Sequence, residues 1–83
     1  MTLSIRYFAW VRERIGESTA QYEGGARTVR EVIEALRALS PAHELALSEL
    51  DALRFALDQE MVEEDAPINA AHELAIFPPM TGG

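Results

Sequence analysis

The stretch TVREVIEALRAL, residues 28–39, decides the predicted fold. Its apolar residues recur at helical spacing and its charged residues take the opposite face, which predicts an amphipathic helix packed on a core. Thr28 and Glu31 have the spacing of a capping box, in which a hydroxyl and a carboxylate bind free amides reciprocally at a helix start. Ser40-Pro41 is expected to end the helix, because proline disfavours helical geometry in the residue before it. The apolar stripe consists of Val29, Val32, Ile33, Leu36 and Leu39.

Strands are predicted on both sides of this helix, where apolar and polar residues alternate. A short helical turn is expected over residues 10–15, closed by Gly16 in a helix-ending conformation. Residues 42–51 have helical composition but a poor apolar stripe, so a short helix and a looped connection both stay open. The predicted strands cover residues 3–8, 19–23, 53–57, a brief segment around Met61 and residues 72–77. One main helix on a mixed sheet of four to five strands is a two-layer α+β arrangement, with the last strand central beside the first.

Alternation also separates two kinds of aromatic residue. It places Tyr7 in the core with Leu3 and Ile5, whereas Phe8 and Phe77 fall on the outward face of the sheet. A cluster of outward apolar side chains indicates a docking surface, and Met61 is expected near it. A loop or the short helix could equally cover these residues, so the alternation leaves both readings open.

The composition predicts a single soluble domain. The 83 residues leave no room for a second domain, and an apolar fraction of 48% is typical of folded proteins. The net charge of −7 argues against nucleic-acid binding, which needs clustered cations. The sequence shows neither a membrane-length apolar run nor a signal-peptide pattern, which predicts a cytoplasmic location without membrane association.

The residues of the chain offer no self-contained active site. The chain has neither cysteine nor lysine, which excludes thiol nucleophiles, zinc–thiolate sites and lysine Schiff bases. His43 and His72 lack metal-ligand spacing and are interpreted as surface or structural residues. The acidic run at residues 63–65 is interpreted as a solvated loop, and no metal site is predicted.

The stretch FPPMTGG, residues 77–83, ends in a diglycine for which composition alone favours a frayed end. Together with FAWVRERIG, residues 8–16, it carries a family resemblance. Residues 8–16 match the form F-A-x-[VL]-R-E-x-x-G. With both stretches, the chain resembles the small, sulfur-carrying subunits of molybdopterin synthase, a ubiquitin-like β-grasp family. The resemblance spans the whole chain. The sequence departs from the family pattern at residues 69–73, where relatives often carry Asp-Gly-Asp-Glu.

The resemblance implies chemistry at the carboxylate of Gly83. An E1-like activating enzyme would adenylate it with ATP and magnesium, and a sulfur donor protein would convert it to a thiocarboxylate. The tail would then enter the large synthase subunit and deliver sulfur to cyclic pyranopterin monophosphate. On this view the chain is a non-catalytic, sulfur-donating subunit that binds no cofactor of its own.

The resemblance also assigns residues to roles. A β-grasp domain at residues 1–77 would present a flexible tail at residues 78–83. Phe8, Met61 and Phe77 would bind partners, while Arg12 would contact either a partner carboxylate or a local acid. The tail residues that precede Gly83 are Pro78, Pro79, Met80, Thr81 and Gly82.

Three alternatives share parts of this pattern. A sulfur carrier for the thiazole of thiamine would have the diglycine but typically lacks the Arg-Glu segment and the Phe-Pro-Pro approach. A ubiquitin-like protein modifier would use the same activation to form an isopeptide bond with a lysine of another protein. A binding module with an incidental tail would not need Gly83.

Overall fold

The computed structural model describes residues 2–79, and over this range the chain forms a mixed sheet with helices on one face. The strands are β1 (Thr2–Tyr7), β2 (Thr19–Glu23), β3 (Arg54–Leu57), β4 (Glu60–Val62) and β5 (Glu73–Phe77). Their order is β2-β1-β5-β3-β4. β5 is central and parallel to β1, and the other neighbouring pairs are antiparallel. The predicted mixed sheet, with the last strand beside the first, is confirmed.

Three helices and a 3₁₀ turn connect the strands. They are α1 (Ala9–Ile15), α2 (Val29–Arg37), α3 (Pro41–Leu47) and the 3₁₀ turn Leu50–Ala52. Gly16 ends α1 as predicted, with a left-handed φ of 94° and its amide bound to the carbonyl of Arg12 at 2.8 Å. None of the helices described over residues 2–79 is long and apolar enough to cross a membrane.

The start of α2 confirms Thr28 as its cap and corrects the second half of the capping box. Thr28 Oγ1 accepts the amide of Glu31 at 3.3 Å, as predicted. The Glu31 carboxylate accepts the amide of Arg27 at 3.0 Å, one residue before the expected amide of Thr28. The carboxylate therefore anchors the chain that enters the helix.

The acidic loop covers the same end of α2. The amides of Val29 and Arg30 donate to the carbonyls of Ala66 and Glu64 at 3.0 and 2.8 Å, which satisfies two free donors of the first turn. The Arg30 guanidinium donates to the Glu64 carboxylate as well. The acidic run thus borders a helix N-terminus, where negative charge is favourable.

The helix α2 ends two residues before the predicted end at Leu39. The helix ends at Arg37, and Leu39, expected on the buried stripe, is 63% exposed. The amides of Ala38 and Leu39 bind carbonyls three residues back, so the last turn is tighter than an α-helix and the helical spacing no longer applies. Ser40 begins α3 instead, because its side chain caps the amide of His43 and Pro41 occupies the first turn.

The core lies between α2, α1, α3 and the inner face of the sheet. Tyr7 is buried with the other inward residues of β1, as predicted, and Leu74 and Ile76 are buried on β5. The largest fully buried side chains are those of Tyr7, Leu3, Ile5, Ile33, Leu47, Leu53, Ile68, Leu74, Ile76, Val11, Val29 and Val32.

Two polar side chains enter this core. His43 is 9% exposed, and its Nδ1 lies 2.7 Å from Ser40 Oγ, so it is a structural residue. Its ring meets the Tyr7 ring edge-on at a centroid distance of 6.4 Å. Tyr7 Oη and His43 Nε2 are both buried without a hydrogen-bond partner in the described chain. Burial, and secondarily the negative charge of Glu17, raises the pKa of Tyr7 to about 12.

Candidate docking face and tail exit

The outward face of the sheet keeps large apolar side chains in solvent. Phe8 is 37% exposed and Met61 is 59% exposed, while Phe77 is half-buried at the end of β5. The reading in which a loop or helix covers Phe8 and Met61 is therefore wrong. Exposed apolar clusters of this kind are typical of interaction surfaces.

Phe8 and Phe77 form an edge-to-face pair. Their ring centroids are 6.3 Å apart and their planes meet at 89°. The parallel register that pairs Tyr7 with Ile76 brings them together, and the Phe8 amide donates to the carbonyl of Ile76 at 3.2 Å. Such a pair contributes about 0.5–1.5 kcal/mol beyond its buried area. The structure thus joins two residues that are far apart in sequence into one aromatic pair.

The chain turns sharply after Phe8. Phe8 is extended, but Ala9 has a left-handed φ of 52°, which costs a non-glycine residue roughly 1–2 kcal/mol. This turn leaves Phe8 on the outward face while α1 sends Val11 into the core. Arg12 follows one helical turn after Phe8, with its amide bound to the Phe8 carbonyl at 3.3 Å, and its side chain is exposed. Arg12 is therefore an exposed residue of α1 whose backbone lies one turn from Phe8.

Met61 lies on the same face but at its far edge. The strand registers align Arg6, Ala75, Ala56 and Met61 in one row across four strands. Neighbouring strands are about 4.8 Å apart, so β3 and its alanine separate the backbone of Met61 from β5 by about 10 Å. The two alanines have short side chains in the middle of this row, and the longer side chains of Arg6 and Met61 lie at its two ends.

Two arginines beside the aromatic pair were not predicted as site residues. The Arg6 guanidinium lies 5.3 Å from the centroid of the Phe8 ring, within the range of a cation–π interaction. Arg54 is the register partner of Phe77 on β3. Alternation puts Arg54 on the outward face, because its neighbours point inward. Only the pairing of β3 with β5 places it beside Phe77.

The turn that leads into β5 is held by Asp58. Its carboxylate accepts the amides of His72 and Glu73 at 2.9 and 3.0 Å. This is the segment in which the sequence departs from the family pattern, and Asn69 within it has a left-handed φ of 52°. The carboxylate of a neighbouring hairpin turn therefore organises the start of β5.

The tail leaves the sheet at the aromatic pair. β5 ends at Phe77, and Pro78 and Pro79 follow as half-buried residues. The predicted tail residues Met80, Thr81, Gly82 and Gly83 lie outside the described residues, so the division at residues 77 and 78 stays a prediction. Across residues 2–79, no group of three or more His, Asp and Glu side chains is arranged to hold a metal ion.

Comparison with known proteins extends this description. The model of the ThiS family matches residues 5–83. The molybdopterin synthase sulfur carrier subunit of Escherichia coli (strain K12) is 33% identical over 81 residues, which cover 98% of this chain and 99% of that protein. The match therefore includes both the outward face and the tail.

Solved structures share the fold. The crystal structure of SAMP1 from Haloferax volcanii superposes with a TM-score of 0.80 at 26% identity, over 100% of both chains. A protein–protein complex of subunits 1 and 2 of molybdopterin-converting factor from Helicobacter pylori 26695 contains a chain with a TM-score of 0.67 at 18% identity, again over 100% of both chains. The second likeness concerns the fold alone. The predicted ubiquitin-like β-grasp fold is confirmed.

Proposed function

Because the chain belongs to the ThiS family, we propose that it is a sulfur carrier subunit of molybdopterin synthase and acts in molybdenum cofactor biosynthesis. The observation that carries the proposal is the 33% identity, over nearly the whole of both chains, to a sulfur carrier subunit of that enzyme. The aromatic pair on the outward face, next to the tail exit, supports it, because a carrier must dock on an enzyme and deliver its tail.

The reactive group is the carboxylate of Gly83. A carboxylate is a poor acyl donor, so an E1-like enzyme that uses ATP and magnesium first transfers AMP from ATP to it, with release of pyrophosphate. A sulfur donor protein then supplies the sulfur that displaces AMP, which leaves a thiocarboxylate. In the large synthase subunit this sulfur passes to cyclic pyranopterin monophosphate. The chain contributes the carrier carboxylate, and its partners contribute the catalysis.

The residues after β5 suit delivery into a buried site. Pro78 and Pro79 favour an extended backbone that leaves the sheet, because proline cannot donate a strand hydrogen bond. Six residues beyond Phe77 reach about 20 Å when extended. Gly82 and Gly83 have no side chains to obstruct a narrow channel. The chain has no cysteine, so the thiocarboxylate is also the only covalent carrier of activated sulfur that it offers.

The outward face serves as the docking surface for successive partners. We assign Phe8, Phe77 and Met61 to its apolar contacts and Arg12 to a partner carboxylate. The Helicobacter pylori complex, whose carrier-like chain has this fold, supports the large synthase subunit as one partner. The activating enzyme would use the same surface in turn, since both must receive the same tail.

A second candidate is a protein modifier that links Gly83 to lysines of other proteins. The observation that favours it is the likeness to SAMP1, which is named a small archaeal modifier protein. Both candidates begin with the same adenylation. They differ in the product, because a modifier yields isopeptide conjugates and a carrier yields molybdopterin.

Intact-mass spectrometry tests the carrier. The protein is incubated with its activating enzyme, ATP, magnesium and a sulfur source, and a chain lacking Gly83 is the control. The proposal predicts exchange of one oxygen for sulfur in the full chain and none in the control. Addition of the large subunit and the pterin precursor should then return the carboxylate and yield molybdopterin. An unchanged mass with a competent activating enzyme contradicts the proposal, and lysine conjugates without molybdopterin favour the modifier.

A further inference from the structure

The arginines of this acidic chain are distributed unevenly. Arg30 and Arg37 each bind a carboxylate directly, Glu64 and Glu44 respectively, and both pairs lie among the helices and the loop that covers α2. These contacts hold the pKa of Arg30 and Arg37 above the usual arginine range and the pKa of Glu44 below its usual range. Such pairs stabilise local structure, and their charge is already compensated.

Arg6 and Arg54 differ from these pairs. Arg54 donates to the carbonyls of Asp51 and Leu53 at 3.4 and 3.0 Å, and it forms no ion pair with an acid of the described chain. Arg6 lies 3.8 Å from the Glu73 carboxylate, a distance beyond a hydrogen bond, and half of its side chain is exposed. Both guanidinium groups therefore keep donors for an outside acceptor.

The two arginines flank the aromatic pair. Arg54 is paired in register with Phe77, and the Arg6 guanidinium lies over Phe8. Acids lie nearby as well, since Glu73 is the register partner of Ser4 on β1 and Glu63 lines one surface cavity with Arg54. Two cations therefore lie beside the aromatic pair and the tail exit.

This arrangement specifies the chemistry of the partner surface. A chain of net charge −7 is repelled by an acidic protein unless cations face it where the two meet. Arginine beside aromatic residues is the composition that interfaces favour, and flanking charges mainly orient the encounter and exclude wrong partners. A partner with carboxylates around an apolar patch would match both features.

Building on the proposed function, we propose that Arg6 and Arg54 are specificity-determining residues of the carrier. The occupant of this face is the large synthase subunit, which presents carboxylates on either side of the apolar surface that receives Phe8 and Phe77. Arg6 and Arg54 select and orient this partner before the tail enters it.

The test measures binding of the full chain to the large subunit of the same organism. Arg6→Gln, Arg54→Gln and the double variant are compared with Arg27→Gln, which removes an exposed arginine in the loop before α2. Exposed ion pairs of this kind correspond to about 1.4- to 5-fold in the dissociation constant, so the double variant should bind about 2- to 25-fold more weakly. Arg27→Gln should bind as the wild type does, and circular dichroism should show that every variant is folded.

Salt and lysine variants separate charge from packing. Raising the salt concentration from about 0.05 M to about 0.5 M shortens the electrostatic screening length several-fold. The difference in affinity between the wild type and the double variant should therefore become smaller. Arg6→Lys with Arg54→Lys should restore most of the binding, mainly through the association rate. The inference is overturned if the folded double variant binds like the wild type at low salt. It is also overturned if Arg27→Gln loses as much affinity as the double variant does.

The outcome also separates the inference from the proposed function. If the wild-type chain neither binds the large subunit nor acquires sulfur, the proposed function fails. If the wild type binds and transfers sulfur while the arginine variants match it, only the inference fails. A deficit confined to the activating enzyme assigns the arginines to that partner and overturns the assignment to the large subunit.

Discussion

Replacing Tyr7 by phenylalanine is expected to stabilise the protein. Tyr7 is 1% exposed on the inner face of β1, and its hydroxyl is buried with no hydrogen-bond partner in the described chain. Its ring is already fixed by the core and by the edge-on ring of His43. The hydroxyl has therefore lost water without gaining a protein partner, and phenylalanine retains the ring contacts without that cost.

The magnitude follows from the burial of the hydroxyl. A buried hydroxyl without a hydrogen bond lowers the free energy of unfolding by about 1–3 kcal/mol. Removing the oxygen recovers this energy but also loses some of its packing contacts. We expect Tyr7→Phe to raise the free energy of unfolding by about 1 kcal/mol, or the Tm by about 4–8 °C for a domain of this size. Tyr22→Phe is the matched control, because the Tyr22 hydroxyl accepts the amide of Ala26 at 3.0 Å. Loss of that bond should lower stability by about 0.5–1.5 kcal/mol.

The same hydroxyl predicts a dependence on alkaline pH. The pKa of Tyr7 is raised from 10.0 to about 12 in the folded protein, first by burial and then by Glu17. Above pH 10 the unfolded chain releases this proton before the folded chain does, so the folded state binds more protons. Ionisation of Tyr7 leaves the free energy of unfolding unchanged well below pH 10 and lowers it as the pH rises from 10 toward 12. Tyr7→Phe should remove this part of the decline.

Urea unfolding followed by far-UV circular dichroism, at several pH values from 7 to 11, measures both effects for the wild type and the two variants. Opposite signs for Tyr7→Phe and Tyr22→Phe at neutral pH, with a flatter alkaline decline for Tyr7→Phe, support the reasoning. If Tyr7→Phe destabilises the protein as much as Tyr22→Phe does, the Tyr7 hydroxyl makes a favourable bond and the reasoning is refuted.

Three further predictions concern other parts of the structure. Phe8→Ala with Phe77→Ala should weaken binding to the large subunit by about 30-fold or more, as loss of interface hot spots does, and a native circular dichroism spectrum is required. An unfolded double variant would contradict the outward position of these rings. Asp58→Ala should lower the free energy of unfolding by about 1–3 kcal/mol, because two amides before β5 lose their acceptor, and Asp58→Asn should retain part of it. Thr28→Ala should cost about 1 kcal/mol in thermal unfolding as α2 loses its cap, and an unchanged Tm would contradict that role.

Sequence patterns predicted the helices and strands because helix capping and apolar periodicity depend on residues that are close in sequence. The amphipathic stripe and the Thr28 hydroxyl specify the start of α2 within a few residues, and alternation separated buried Tyr7 from exposed Phe8. Prediction failed where a neighbouring element intervened. Leu39 follows the helical period, but the chain leaves the core in a tight turn before it. Glu31 has the spacing of a capping box, but its carboxylate binds the amide one residue earlier.

The sequence by itself determined the fold class, the inward and outward residues of β1 and the tail motif, because periodicity, capping and proline act over a few residues. Only the tertiary structure decided which outward side chains meet. The parallel pairing of β1 with β5 joins Phe8 to Phe77, and the pairing of β3 with β5 adds Arg54, across separations of 69 and 23 residues by their numbering. Strand register depends on the packing of the whole core, so the candidate docking face forms only with the complete sheet.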